Sequence, residues 1–370
     1  MQVAHLTSAH PRDDVRIFLK ECRSLSRSGY AVTLIVADGL GNDTRDGVDI
    51  LDVGRPAGRL DRMLSTTRRV LRQAIDLDAD VYHVHDPELL TICLALKRRG
   101  KRVVFDAHED VPKQILGKHY LQPMLRRAIA WVFACYERYV CGRLDGVIAA
   151  TPTIRQKFLS INANSQDINN YPLIGELNVE TEAGQRANEV CYVGGIAAIR
   201  GVREMIRALE LAQPDIHLNL VGAFVESDVE KEVQGYPGWQ RVNAFGVLGR
   251  EGVRNVMARS FAGLVTLHPT PNYIESLPIK MFEYMSAGIP VIASDFPLWR
   301  DIIEGSECGV CVDPLDPRQI ARVIDELARD PSRSQKMGEN GRKTVMERYN
   351  WAIEEGKLRA YYAQLATMKK

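Results

Sequence analysis

Short runs of β-branched and other apolar residues recur along this chain, and each is followed by a helix-length amphipathic segment or a turn. In the first part they fall at 3–7, 32–37, 48–53, 81–85, 103–107 and 147–150. Runs that stay apolar at consecutive positions, separated by amphipathic helices, predict parallel sheets covered on both faces. The alternation restarts at 190–193 and continues through 217–221, 241–245, 264–268, 290–294 and 310–312. Between the two series lies Asn162-Ala-Asn-Ser-Gln-Asp-Ile-Asn-Asn-Tyr-Pro172, polar and rich in turn formers, followed by residues 175–188. The domain boundary is expected there, giving domains 1–172 and 173–350, with a final helix in 351–370 packing back on the first. Two Rossmann-like, doubly wound α/β halves, each presenting loops at the carboxyl ends of its strands, imply a cleft between them where a ligand binds.

At 370 residues, 45% hydrophobic and 26% charged, the chain can bury the cores of two domains. A net charge of +1 gives no general case for nucleic acid. The charge is unevenly spread: residues 1–172 carry 25 Lys and Arg against 20 Asp and Glu, the remainder 23 against 27. The basic and acidic halves are therefore expected to meet different partners. Seven cysteines scattered from Cys22 to Cys311 make no disulfide framework, and Cys308-Gly-Val-Cys311 lacks a second ligand pair for zinc. A reducing cytoplasm is the simplest setting. Met1 leads almost at once into a strand-like Val-Ala-His-Leu-Thr, which predicts no secretion signal, and no apolar run reaches the roughly 20 residues of a membrane span.

Candidate chemistry concentrates in Glu275-Ser-Leu-Pro-Ile-Lys-Met-Phe-Glu283, which runs through Tyr284-Met-Ser-Ala-Gly-Ile-Pro into a buried strand. Pro278 fits the first helical position, so the amides of Ser276, Leu277 and Ile279 are expected to stay free for an anion. Glu275 precedes that amide cluster and Glu283 follows on the helix. The two carboxylates can flank one ligand whose phosphates rest on the helix end, a shape that suits a nucleotide sugar.

The segment resembles the Glu-x7-Glu signature of the retaining nucleotide-sugar glycosyltransferases of family 4, which have the two-Rossmann GT-B fold. Five further stretches, beginning at Thr7, Val81, Val103, Cys191 and Asn243, resemble successive blocks of that family in the right order, so the likeness spans nearly the whole chain. The resemblance implies that Glu275 contacts the donor hexose and Glu283 holds the nucleotide ribose. It further implies retention without an assigned protein nucleophile, a donor that is UDP-linked rather than GDP-linked, and no metal.

Arg200, beside Gly201 at the start of the second domain's first helix, can fork onto diphosphate oxygens. Many relatives carry another basic residue where Gly195 stands here, so neutralisation of phosphate is expected to rest on Arg200 and Lys280. Lys280 has a plainer reading as an i,i+3 partner of Glu283. Gly194-Gly195 reads either as a phosphate loop or as a tight turn. His108, ending a buried strand, is expected near the transferred sugar, as in the family. His83 and His85 share one strand face and read as core histidines, although Asp86, Asp106 and Glu109 nearby allow a metal site to be imagined. His10, Arg12, Asp13, Asp14 and Arg16 can contact acceptor or diphosphate, or form a capped helix start.

Aromatic and basic residues interleave through Lys113, Lys118, His119, Tyr120, Arg126, Arg127, Trp131, Phe133, Tyr136 and Tyr139. They read as an ordinary packed helix or as a surface lying on an anionic membrane. The cluster 97–102 reads as a helix C-terminus. With these features, the resemblance implies a hexosyltransferase of polysaccharide or glycolipid synthesis. Its acceptor would be a glycan or lipid-linked glycan, and it would be cytoplasmic or peripheral at the inner membrane face. Catalysis would be electrostatic, with His108, Glu275, Arg200 and Lys280 acting on the sugar and departing diphosphate. The alternatives are a GT-B nucleotide-sugar epimerase and a catalytically silent subunit.

Overall fold

The computed structural model describes residues 1–117, 122–177 and 188–367. These fall into two units, one of Met1–Asn170 with Trp351–Lys370 and one of Tyr171–Asn350. Unit 1 holds an eight-stranded sheet: β1 (Gln2–Leu6), β2 (Ala31–Val36), β3 (Asp43–Arg45), β4 (Val48–Asp52), β5 (Val81–Val84), β6 (Arg102–Ala107), β7 (Gly146–Ala149) and β8 (Ser165–Asp167). Their order is β3-β4-β2-β1-β5-β6-β7-β8, and every pairing is parallel except β3 with β4. The strands expected from apolar runs form within a few residues of their expected ends. β3 and β8 were not foreseen, because Asp-Thr-Arg and Ser-Gln-Asp contain no apolar run.

Successive residues of a strand face opposite sides of the sheet, and in unit 1 the two sides differ in chemistry. Ala4, Leu6, Tyr82 and Val84 enter an apolar cluster with Leu96, Phe105 and Phe158. On the other side His5 and His83 stand in register on β1 and β5, fully buried. This polar layer is covered by the helical segment Val15–Cys22, whose start Asp14 caps by accepting from the amides of Arg16 and Ile17. The helix Trp351–Thr367 completes the cover: Tyr362 Oη lies 2.8 Å from His83 Nδ1, Trp351 Nε1 donates to Ser24 Oγ at 3.0 Å, and Glu354 accepts from the Asn169 amide at 2.8 Å.

Unit 2 is built on six parallel strands: β9 (Glu189–Val193), β10 (His217–Val221), β11 (Val242–Gly246), β12 (Ala262–Val265), β13 (Val291–Ser294) and β14 (Gly309–Val312), in the order β11-β10-β9-β12-β13-β14. Val190 and Tyr192 pack into one apolar cluster and Cys191 into another, as a strand buried on both faces requires. The strand expected at 264–268 leaves the ladder after Val265. His268 N donates instead to Ile199 O, and Gly201, at φ +81°, packs so tightly on Thr266 that a Cβ would lie 2.1 Å from its carbonyl oxygen.

In each sheet the winding reverses once, between β1 and β5 in unit 1 and between β9 and β12 in unit 2. Loops leaving the carboxyl ends of those strand pairs diverge to opposite faces and leave a crevice, the usual ligand site of open α/β sheets.

Candidate active site

In unit 2 the loops at the reversal carry Gly194 to Arg200 and the turn preceding the helix Ile279–Ala287. The helix start differs from expectation. Pro278 has ψ 126° and caps the helix from outside, and the Ser276 amide donates to Tyr273 O at 3.0 Å rather than staying free. The amides of Leu277, Ile279 and Lys280 donate to no acceptor among the described residues. Trp299 Nε1 fixes this loop by donating to Ser276 O at 2.7 Å, and Leu277 packs against the apolar cluster beneath. Glu275 is exposed in the turn just before.

Lys280 makes no ion pair with Glu283. Its Nζ is buried without a hydrogen-bond partner and sits 3.5 Å from the centroid of the Tyr192 ring. Burial, with the Arg200 charge adding to it, pushes the Lys280 amine well below the usual ammonium range. Arg200, in the turn Ala198–Arg200, donates to Gly195 O at 2.9 Å. Burial opposes its charge, but hydrogen bonds to Tyr273 and Tyr192 raise it above the ordinary arginine value. The glycine pair is the room these cations use: a Cβ on Gly194 would lie 3.1 Å from Lys280 Nζ, and one on Gly195 2.8 Å from Arg200 Nη1. A larger side chain at either position would displace a cation.

Glu283 is buried and its Oε1 accepts from Arg250 Nη1 at 2.7 Å, while the same guanidinium forks onto Glu176 at 2.7 and 2.8 Å. Burial works against the Arg250 charge, and the two carboxylates more than offset it. Neither Arg250 nor Glu176 was singled out from the sequence. Arg250 follows directly on the block 243–249, at the first position of the helix Arg250–Arg259, and that placement was the available signal.

In unit 1 the reversal brings together the loops after β1, β5 and β6. Asp86 is buried, and its Oδ2 accepts from Thr7 Oγ1 at 2.8 Å and from the amides of Ser8 and Ala9 at 2.5 and 3.1 Å. Its Oδ1 lies 3.0 Å from His10 Nδ1. Burial alone would raise the Asp86 carboxyl, but these donors hold it well below the usual range. His108 is one-fifth exposed, with Nε2 2.9 Å from Asp106 Oδ2. Arg16 is buried and forks onto Asp106 at 2.9 and 2.8 Å, while Arg12 pairs with Asp38. The loop is thus both a capped helix start and a set of charged contacts.

His83 and His85 are core residues, as expected. Burial first, then neighbouring histidines, lowers His5 and His83 well below the ordinary imidazole value; burial lowers His85 to about 4. Glu21 in the same layer is pushed well up, by burial and then by Asp106, which favours its protonated form. Of the metal set imagined from the sequence, His83, His85 and Asp106 come together, and Asp86 and Glu109 do not join them. Asp86 turns to the 7–10 loop and Glu109 bonds Gln114. His85 Nδ1, His108 Nε2 and Asp106 Oδ2 do lie 2.9–3.3 Å apart, but the Arg16 guanidinium already neutralises that carboxylate, so the group reads as a hydrogen-bonded network.

Of the aromatic and basic stretch, Lys118, His119 and Tyr120 lie outside the described residues. On the helix Pro123–Cys141, Phe133 and Tyr136 pack against the core, whereas Met124, Leu125, Trp131 and Val132 are at least half exposed. No described helix is long and apolar enough to cross a membrane.

Residues 15–169 match Glycosyltransferase Family 4, and residues 176–344 match Glycosyl transferases group 1. The phosphatidyl-myo-inositol mannosyltransferase of Mycobacterium leprae is 24% identical over 309 residues, covering 81% of this chain and 77% of that protein. The alpha-D-kanosaminyltransferase of Streptomyces kanamyceticus is 28% identical over 180 residues, covering 48% of this chain and 45% of that protein, so the chain matches less than half of that relative's length. Among solved structures, Anabaena HepE in complex with UDP-glucose is alike with a TM-score of 0.76 at 15% identity, over 98% of this chain and all of the other. At that identity the likeness is one of fold.

Proposed function

The chain belongs to the family 4 type of glycosyltransferases, with the GT-B pair of Rossmann-like domains, and from that premise we propose that it moves a hexose from a UDP-linked sugar to a hydroxyl of a glycan or lipid-linked glycan with retention. The observation that carries the donor side is the Lys280 amine, its Nζ buried without a hydrogen-bond partner beside Arg200 at the reversal of a parallel sheet. Charging an amine so placed is costly unless an anion meets it. A diphosphate supplies that anion and restores the charge Lys280 lacks. Arg200, Lys280 and the free amides of Leu277, Ile279 and Lys280 would then stabilise the leaving diphosphate as its charge develops, without a metal ion. Glu283, held by Arg250, would accept from the ribose, and Glu275 would orient the hexose together with His108.

The UDP in this reading is supported by the fold likeness to a UDP-glucose complex, and the lipid-borne acceptor by a relative named for phosphatidyl-myo-inositol. The exposed Trp131, Met124 and Leu125 with Arg127 support contact with an anionic membrane surface, at the cytoplasmic face. The test is nucleotide release from a panel of UDP- and GDP-hexoses, with and without lipid-linked glycan on liposomes. Acceptor-dependent release from a UDP-hexose is expected. Acceptor-independent release with epimerised sugar, or binding without release, would replace this reading.

A further inference from the structure

Tyr192 stands on β9, a strand at the reversal of the unit 2 sheet, and its side chain is fully buried. Different parts of that side chain meet the two basic groups of the unit 2 site. The ring face carries Lys280 Nζ 3.5 Å from its centroid, and that nitrogen has no hydrogen-bond partner among the described residues. The hydroxyl donates to Gly195 O at 2.8 Å, the same oxygen that accepts from Arg200 Nη1 at 2.9 Å. The Arg200 guanidinium is also hydrogen-bonded to that hydroxyl and to Tyr273, in the turn before Glu275. One hydroxyl can serve both neighbours, since its proton goes to the carbonyl while a lone pair accepts from the guanidinium. Burial pushes the phenol up to about 12 against the opposing pull of Arg200, so it remains a donor near neutral pH. The loop above is pinned as well: Gly194 N donates to Val221 O and Ile196 N to Ala223 O, each at 2.9 Å. Glu283, three residues on from Lys280, is engaged by Arg250.

Resting on the donor reading above, we propose that Tyr192 is the positioning residue of the diphosphate site, its ring face presenting Lys280 and its hydroxyl presenting Arg200 to one diphosphate. In the free protein the ring face receives the N–H bonds of the amine. As the diphosphate enters and the amine takes up a proton, the same face stabilises the ammonium from the side that the anion does not occupy. An aromatic face suits this task better than a carboxylate. It favours positive charge without neutralising it, so the ammonium keeps its attraction for phosphate, whereas a carboxylate in that place would compete with the ligand. Residue 195 is glycine and supplies no cation of its own. The second cation comes instead from the helix Ile279–Ala287, and Tyr192 is the side chain that spans it and Arg200.

The experiment uses the full chain and compares Tyr192→Phe with Tyr192→Leu, measuring UDP and inorganic pyrophosphate by calorimetry and uridine by NMR titration. Tyr192→Phe keeps the ring and should lose about fivefold in affinity for both diphosphates, the loss expected from one hydrogen bond. Tyr192→Leu should lose about a further tenfold with the ring face. Uridine affinity should stay at the wild-type value in both. In a Lys280→Met background the extra cost of leucine over phenylalanine should vanish. Equal losses in the two variants, an extra cost that survives without Lys280, or a parallel loss of uridine affinity would overturn the proposal. Lysine NMR is the arm that needs no ligand. The Lys280 Hε protons, assigned by their loss in Lys280→Met, should be shifted upfield by the Tyr192 ring, keep that shift in Tyr192→Phe and lose it in Tyr192→Leu. Hε signals at ordinary lysine positions in the wild type would overturn the contact even if Tyr192→Leu failed to fold. Shifted signals in a wild type that binds neither UDP, GDP nor pyrophosphate would instead sink the donor reading, and the positioning role with it.

Discussion

At the reversal of its sheet, unit 1 backs its accessible histidines with buried carboxylates, His10 with Asp86 and His108 with Asp106, whereas unit 2 leaves Lys280 with a ring face and no anion. The scaffold is the same in kind: parallel strands, one reversal, loops from the carboxyl ends. Only the polar groups differ, and they fit different ligands. A compensated imidazole can exchange a proton with a neutral hydroxyl, while a buried amine without a partner takes up its charge only as an anion arrives. On the function proposed above, the contrast would put the anionic donor on unit 2 and the hydroxyl-bearing acceptor on unit 1.

The strongest way to break that division is to exchange the expected losses. Arg200→Ala should cost about 10²–10³-fold in turnover and roughly 1.5–3 kcal/mol in UDP binding by calorimetry, as expected when a charge-assisted contact to a developing anion is removed. His108→Ala should lower transfer by a comparable factor and leave UDP binding alone. If the two variants showed the same pattern, the units would not differ in role. A smaller effect tests the far end of the donor site: Glu283→Gln should weaken UDP about tenfold, since it removes one charged acceptor and loosens Arg250.

Acidity should sharpen the contrast in stability. His5, His83 and His85 are held neutral in the fold, so the unfolded chain binds more protons below its ordinary histidine value of about 6.5. Stability of unit 1 should then fall as pH drops from about 6.5 toward 4. Each net proton contributes about 1.4 kcal/mol per pH unit. Glu21, raised in the fold, works in the opposite sense above its unfolded value of about 4.5, offsetting one of the three. Hydrogen exchange at pH 7 and 5, corrected for intrinsic rates, should show protection lost in unit 1 before unit 2; equal loss would contradict this. The smallest expected effect is that of chelation. With phosphate met by Arg200, Lys280 and amides, EDTA should leave turnover nearly unchanged, and a complete loss restored by magnesium or manganese would move the diphosphate onto a metal.

The central strands were legible because burial on both faces favours short apolar runs, even where His5, His83 and Asp106 interrupt them as buried polar residues. β3 and β8 were not, since edge strands of three polar residues carry no such constraint. A signal for β3 did exist in Asp46-Gly47, both at positive φ, a two-residue hairpin turn between β3 and β4. For the site, local spacing located Lys280 and Glu283 but misjudged their partners. A helix spacing of three suggested that they pair, whereas Tyr192 and Arg250, from distant parts of the chain, were closer. The same limit hid the His10–Asp86 pair, whose members are joined only by the adjacency of β1 and β5.

The helix Trp351–Thr367 has a consequence for how the protein is made. Unit 1 is assembled from two stretches of chain with residues 171–350 between them, and synthesis delivers its last piece after all of unit 2. Until Tyr362 reaches His83 and Glu354 reaches the Asn169 amide, the polar layer under the β1–β5 pair lacks part of its cover. On the ribosome the later-made half can thus finish folding while the earlier-made half waits, reversing the usual N-to-C order of domain completion. Nascent chains released short of residue 351 would carry a finished unit 2 beside an unsealed unit 1, the kind of species that chaperones retain and proteases cut.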